Sequence, residues 1–271
     1  MLKKLNLNAS YYQQFDADFS RDVPAEGYGG WKQEVLPIPL EKTALVVMHA
    51  WDTGTREEYP GWHRAVEYIP RANAICLEVF PPLLSAVRSA KMSLFHVVGG
   101  GDYYKSYTGY QRAKELAGDS PLPQKRILAD DSLNVLQAFR ASHVFVGEHN
   151  AVDVQKGFTK LDFPKEARPE ESEGIAENAH QLFALCEEAG IKHLIYVGFA
   201  INWCLLLSPG GMWEMSQRGF LCSTIRQATT AVENRETART ETAKEVALWR
   251  VALAFGFVFD SEDVIEQLRK V

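Results

Sequence analysis

The sequence predicts an α/β protein built on a doubly wound, mostly parallel open sheet with helices on both faces, a Rossmann-like three-layer arrangement. Two observations predict it. Short, nearly continuous apolar runs rich in β-branched residues recur along the chain, as expected for strands that are buried on both faces. Segments with a helical apolar period separate most of these runs, which is typical of parallel strands joined by right-handed crossover helices.

The apolar runs are the predicted strands. They cover residues 43–50, 93–98, 143–146, 193–200, 221–225 and 256–259. The clearest predicted helix spans residues 173–189 and ends at Gly190, and a second spans residues 237–255. A third follows Pro70, where the pair Pro81 and Pro82 must kink or restart it. Residues 41–271 are therefore interpreted as one α/β domain, and residues 1–40 as an arm laid over it or over a neighbouring subunit.

Composition excludes several classes of protein. The 271 residues are 46% apolar and 24% charged, which is typical of a globular protein with a large core. The net charge of −6 and the absence of a long Lys/Arg run argue against nucleic acid as a partner. No apolar stretch approaches the ~20 residues that span a bilayer, and no signal-like segment begins the chain, so we expect a cytoplasmic protein without a membrane partner.

The four cysteines lack the C-x-x-C spacing of zinc sites, and no metal or other cofactor is expected. In an open parallel sheet, ligands bind beyond the carboxyl ends of the strands. Three such positions carry reactive side chains: His49 and Asp52 after the first predicted strand, Lys156 after the third, and Cys204 after the fourth. A thiol, an amine and an acid–base group are thereby predicted to converge on one edge of the sheet.

Cys204 is the most informative of these residues. The apolar triplet LLL follows it and is compatible with a first helical turn, whose backbone N–H groups would favour a thiolate and hold an oxyanion. From its position alone a small buried hydrophobe is the better interpretation of the residue, because that is the usual role of a free cysteine. The other cysteines, Cys76, Cys186 and Cys222, lie on apolar faces and are predicted to be core residues.

Four segments resemble the isochorismatase-like cysteine hydrolases, which include nicotinamidases and N-carbamoylsarcosine amidase. They are TALVVMHAWD, DVQKGFTKLDF, AGIKHLIYVGFAINWC and RGFLCSTIRQATTA. The similarity covers roughly residues 41–258, and its most specific part is the strand, turn and cysteine of the third segment. It implies the doubly wound fold and favours the functional interpretation of Cys204.

Carried over residue by residue, the resemblance makes Cys204 the nucleophile and Lys156 the cation beside it, with Lys160 as second choice. It also implies a cis peptide at Phe199–Ala200. The backbone N–H groups of this turn, at Ala200, Ile201 and Cys204, would bind the oxyanion.

Two departures from the family pattern concern the base and the metal. The usual aspartate at the end of the first strand is replaced by His49, which can take a thiol proton, and Asp52 lies three residues further on. The metal-binding run of the nicotinamidases is replaced by GGGDYYKSY, which keeps Asp102 but has no histidine.

The predicted activity is hydrolysis of an amide or carbamoyl-type C–N bond in a small molecule, through a thioester on Cys204. Trp51, Asp102, Tyr104 and Trp203 are the predicted substrate contacts, and a homo-oligomer is expected. The alternative is a non-catalytic relative that binds a metabolite or partner. Isochorismatase-type ether hydrolysis is a third possibility, which the missing aspartate disfavours.

Overall fold

A computed structural model of the protein describes residues 2–119, 126–170 and 173–271. These residues form one eight-stranded sheet in the order β2-β1-β8-β7-β6-β3-β4-β5. The strands are β1 Lys4–Gln13, β2 Gly30–Pro39, β3 Thr43–Met48, β4 Ser93–Val97, β5 Gly174–Ala176, β6 His193–Gly198, β7 Leu221–Thr229 and β8 Val258–Phe259. The six strands from β8 to β5 run parallel, which confirms the predicted fold class.

Helices cover both faces of the sheet. They are α1 Pro60–Ala65, α2 Ile69–Glu78, α3 Phe80–Ser89, α4 Thr108–Ala117, α5 Asp131–His143, α6 Glu148–Phe158, α7 Ala179–Ala189, α8 Cys204–Leu207, α9 Met212–Gln217, α10 Thr242–Ala254 and α11 Ser261–Leu268. One core packs α2, α3 and α11 against one face, and a second packs α7 to α10 against the other. No helix of the described residues is long and apolar enough to cross a bilayer.

The central strands follow directly from their sequence. Every residue of β3 and of β6 is buried, as expected for runs without polar alternation. β3 and β6 are hydrogen-bonded neighbours in parallel register, with Met48 opposite Gly198. The residues that follow these two strands therefore emerge side by side at the carboxyl edge of the sheet.

The N-terminal arm is the antiparallel edge of the same sheet. β1 and β2 form a hairpin with Lys4 opposite Pro39 and Gln13 opposite Gly30, and Ser10 of β1 pairs with Val258 of β8. Leu5, Leu7 and Ala9 are buried while the residues between them are exposed. This period of two is visible in KLNLNAS and is the signal from which the strand could have been predicted.

The strand predicted at residues 143–146 is wrong, because this segment contains the end of α5 and the turn that follows it. The strand beside β4, at the edge of the sheet, is instead β5, which lies within the helix predicted from residue 173. That helix begins later, at Ala179, where the side chain of Asn178 accepts a hydrogen bond from the Gln181 N–H. Its predicted end is confirmed, since Gly190 adopts the left-handed conformation.

The other two helix predictions are confirmed with small shifts. The helix predicted over residues 237–255 is α10. The helix after Pro70 is divided into α2 and α3 just before Pro81, which occupies the first turn of α3.

Candidate active site

A cavity of about 220 Å³ lies beyond the carboxyl ends of β3 and β6. Its walls are mostly aromatic and aliphatic, and no Asp, Glu, Lys or Arg lines it among the residues that the structure describes. The lining residues are His49, Trp51, Thr53, Trp62, Val66, Tyr68, Ile69, Ala72, Phe145, Val146, Val154, Phe158, Phe199 and Cys204. The cavity therefore suits an uncharged, apolar ligand group.

Cys204 is the one cysteine that lines this cavity. It is the first residue of α8, in the turn after β6, and it is half-buried. The other cysteines are buried, and burial raises the pKa of each thiol, Cys76, Cys186 and Cys222, to about 12. Those three are core residues, whereas Cys204 is open to the cavity.

The turn before Cys204 has the predicted backbone form. The Phe199–Ala200 peptide bond is cis, which confirms that prediction. The Ile201 N–H donates to the Thr230 carbonyl at 2.7 Å and is thus already used within the fold. The N–H groups of Ala200 and Cys204 find no acceptor in the described part of the chain, so two of the three predicted oxyanion donors remain available.

His49 lies at the carboxyl end of β3 and also lines the cavity. Its backbone is held in the left-handed region with a φ of 51°, while its N–H donates to the Val97 carbonyl at 3.0 Å. The side chain is buried, and its Nδ1 has no hydrogen-bond partner in the described structure. Burial lowers the pKa of His49 to about 4, so the imidazole is neutral near pH 7.

Asp52, the other candidate base, is exposed and does not line the cavity. Its backbone N–H donates to the Asp162 carbonyl at 2.8 Å, and its carboxylate accepts the Gly54 N–H at 3.0 Å. These bonds fix the loop after β3. The structure thus places His49, and not Asp52, in the same cavity as Cys204.

The structure brings neither candidate lysine to the cavity. Lys156 lies on an exposed face of α6, and Lys160, just beyond that helix, is exposed as well. The prediction for Lys156 depended on a strand over residues 143–146, and that strand is absent. The position that the resemblance assigns to a cation is therefore not filled by either residue.

Of the predicted substrate contacts, only Trp51 lines the cavity. Asp102 is exposed and forms an ion pair with Lys105. Tyr104 is buried elsewhere, with its hydroxyl donating to Glu177 Oε2 at 2.9 Å, and Trp203 points outward with 58% of its surface exposed.

Tyr68 is a cavity residue that sequence reasoning missed. It precedes α2, and the pKa of its phenol is raised by burial and by the proximity of Cys204 and Glu67. The tyrosine is thus a neutral hydroxyl close to the thiol. Thr53 and Phe158 were missed too, because nothing in a loop threonine or an aromatic of α6 distinguishes it from a packing residue.

Among residues 2–119, 126–170 and 173–271, no group of three His, Cys, Asp or Glu side chains is arranged to hold a metal ion.

No family model and no curated protein matches this chain. It is similar to three solved structures, among others. A cysteine hydrolase from Pseudomonas syringae pv. phaseolicola 1448A has 13% identity, 87% of this chain and 96% of that chain covered, and a TM-score of 0.49. An isochorismatase-like hydrolase from Alkaliphilus metalliredigens has 16% identity, with 83% of this chain and 97% of that chain covered and a TM-score of 0.48. N-carbamoylsarcosine amidase from Thermoplasma acidophilum has 12% identity, with 82% of this chain and 97% of that chain covered and a TM-score of 0.41.

Proposed function

We propose that this protein is a cysteine hydrolase that cleaves an amide or carbamoyl-type C–N bond in a small uncharged molecule. The observation that carries the proposal is that Cys204 and His49, whose Nδ1 is buried without a partner, line one cavity. An imidazole that reaches a thiol can take its proton and so activate the sulfur for nucleophilic acyl transfer.

In the proposed reaction, a neutral His49 accepts the thiol proton as the sulfur of Cys204 attacks the substrate carbonyl carbon. The oxygen of the tetrahedral intermediate accepts hydrogen bonds from the free N–H groups of Ala200 and Cys204. The C–N bond then breaks, and the imidazolium gives its proton to the leaving ammonia or amine. A thioester remains on the sulfur.

Hydrolysis of the thioester uses the same groups in the reverse sense. His49 takes a proton from water while the water oxygen attacks the thioester carbonyl, and the C–S bond breaks. The proton returns to sulfur, and the acid leaves. Because burial disfavours the charged imidazole, we expect both proton transfers to be coupled to bond formation or cleavage at carbon, without an accumulated imidazolium.

The cavity lining limits the substrate. Its aromatic wall, with Trp51, Trp62, Phe158 and Phe199, would pack against a planar or aliphatic acyl group. A carboxylate or ammonium placed there would lose its hydration without gaining a charged partner. We therefore propose aromatic or short aliphatic amides and N-carbamoyl compounds as the substrate class.

A non-catalytic binding protein is the second candidate. The exposed positions of Lys156 and Lys160 favour it, because they leave the thiol without the ammonium group that the resemblance implies. Such a protein would use the same cavity to bind an apolar ligand without turnover.

Ammonia release from a panel of uncharged amides and N-carbamoyl compounds separates the two candidates. We expect turnover by the native chain and none by Cys204→Ala, with an acyl adduct on Cys204 in acid-quenched samples analysed by mass spectrometry. The matched control is Cys186→Ala, which changes a buried cysteine of α7 and should retain turnover. Saturable binding of the same compounds by both the native chain and Cys204→Ala, without turnover or adduct, would instead identify a binding protein.

A further inference from the structure

Helix α5 has no buried residue. All of its 13 residues are exposed except the half-buried Leu133, and the hydrophobic cores of the described structure contain none of them. Val135, Leu136 and Phe139 are 68%, 64% and 60% exposed. A helix of this length is marginal in water on its own and normally gains its stability by packing an apolar face.

The exposed apolar side chains of α5 lie on one face. Val135, Leu136 and Phe139 lie within an arc of about 100° around the helix axis, with Phe139 between the other two. The His143 ring stacks on Phe139 with centroids 4.2 Å apart. Just outside the helix, Leu128 and Phe145 are also exposed. We name the apolar surface formed by Val135, Leu136 and Phe139 the α5 face.

The α5 face would form the apolar centre of a dimer interface. At about 100 Å² for each of its three side chains, it exposes on the order of 300 Å² of apolar surface. This lies within the range of the largest apolar patches on monomeric proteins, and in a dimer the polar residues around it would supply the rest of the ~800 Å² that each partner contributes to a stable interface.

The charges of α5 favour a second copy of the same helix as the partner. Asp130 and Asp131 lie at its N-terminal end, and Arg140 lies in its last turn. If two copies pack antiparallel about a two-fold axis between Val135 and Leu136, the acidic end of each helix lies beside the basic end of the other. A lipid surface fits less well, because membrane-surface helices carry several basic residues on the polar face.

We propose that the protein is a two-fold symmetric dimer in which the α5 faces of two copies pack antiparallel. Phe145 and Val146, directly after α5, line the cavity that contains Cys204. The second copy consequently lies beside the cavity and restricts the access of solvent to it.

Sedimentation velocity of the full chain tests the dimer. We expect twice the 30.5 kDa chain mass for the native protein, and a dissociation constant at least 100-fold weaker for Leu136→Asp combined with Phe139→Asp. Because α5 contributes nothing to the described core, this variant should keep the far-ultraviolet circular dichroism of a folded protein. Leu77→Asp, which changes an equally exposed leucine of α2, is the control and should stay dimeric.

Cross-linking tests the antiparallel geometry. In a Cys204→Ala background, Val135→Cys should form a disulfide with its copy under mild oxidation, whereas Gln137→Cys, on the opposite side of α5, should not. A native chain that is monomeric at high concentration overturns the proposal, as does a dimer that survives the double aspartate substitution. Co-sedimentation of a monomer with anionic phospholipid vesicles would also overturn it and would assign the face to a membrane.

Discussion

The imidazole of His49 lies flat against the indole of Trp51, with ring centroids 4.9 Å apart and planes within 16° of each other. The indole is held in turn by a hydrogen bond from its Nε1 to the Tyr103 hydroxyl at 3.0 Å and by edge contact with Phe158. Stacking fixes the plane of the histidine without using either ring nitrogen. The ring is therefore positioned by packing alone, and Nδ1 has no hydrogen-bond partner in the described structure.

Replacing His49 by Gln should lower kcat/KM by about 10²-fold to 10⁴-fold, the usual contribution of a positioned base. In the native chain we expect kcat/KM to fall as the pH falls through about 4, because a protonated imidazole cannot accept the thiol proton. Rates measured from pH 3 to 8 check this, provided that circular dichroism shows a folded chain at each pH.

Two control variants accompany the His49 substitution. Asp52→Asn should retain near-native rates, since this carboxylate caps a loop outside the cavity, and so should His149→Gln, which changes an exposed histidine of α6. Loss of activity in Asp52→Asn with retention in His49→Gln would show that the base has been misassigned.

Burial of His49 also makes the free energy of unfolding depend on pH, with lower stability at acidic pH. Its pKa falls from 6.5 in the unfolded chain to about 4 in the folded one, so the unfolded chain binds more protons between these values. We expect the free energy of unfolding to decrease as the pH falls from 6.5 to 4, by up to about 3 kcal/mol from this group. Between pH 7 and pH 4.5, the free energy of unfolding measured in urea should decrease less for His49→Gln than for the native chain.

A buried ion pair beneath the sheet edge gives an independent prediction. Burial opposes charge on Glu173, but hydrogen bonds from His96 at 2.8 Å and Arg88 at 2.6 Å outweigh it and lower its pKa to about 2. Glu173→Gln leaves the Arg88 charge poorly compensated and should cost about 3–5 kcal/mol in urea unfolding at pH 7. Glu170→Gln, which changes an exposed partner of the same arginine, should cost less than about 1 kcal/mol.

The pH dependence of the native chain offers a second check on this pair. Since the pKa of Glu173 is depressed from 4.5 to about 2, its stabilising contribution is complete above pH 4.5 and is lost as the pH falls towards 2. The Glu173→Gln variant should lack this contribution. If Glu173→Gln and Glu170→Gln lower the free energy of unfolding by equal amounts, the buried ion pair of Glu173 does not have the stabilising role described.

The central strands β3 and β6 were predictable because each is a nearly unbroken apolar run, and burial on both faces leaves that pattern in the sequence. Strand β5 was not, because three residues, Gly174, Ile175 and Ala176, match the start of a helix equally well. The run at residues 143–146 has the composition of a strand, yet the segment ends an exposed helix and enters a turn. Local composition cannot distinguish a buried run from an exposed one.

The sequence predicts those site residues that directly follow a strand. His49 and Cys204 follow adjacent strands, so the topology alone brings them together. The prediction for Lys156 relied on similarity across a segment that was predicted as a strand. In the structure this residue lies on the surface of a helix and not at the end of a strand. Tyr68 precedes a helix that is distant in sequence from Cys204, and no local pattern indicates that the two residues line one cavity.

Alkylation should be selective for Cys204. Iodoacetamide reacts with accessible thiolates, and Cys76, Cys186 and Cys222 are buried with pKa values near 12. We expect one modification per folded chain, at Cys204, and slower modification when a small apolar amide occupies the cavity. Peptide mass spectrometry locates the adduct, and modification of all four cysteines at similar rates would contradict the exposure described above.

Close contact between α6 and Trp62 controls the width of the cavity. A Cβ at Gly157 would lie 2.0 Å from the Trp62 ring, so Gly157→Ala must displace the indole that lines the cavity. We expect a loss of about 1–3 kcal/mol in urea unfolding and at least a tenfold rise in KM or in the dissociation constant of an apolar amide. Gln155→Ala, an exposed change on the same helix, should alter neither. Adding Trp62→Phe to Gly157→Ala removes the clashing ring and should restore part of both losses. If the double variant is no better than Gly157→Ala, the steric explanation is wrong.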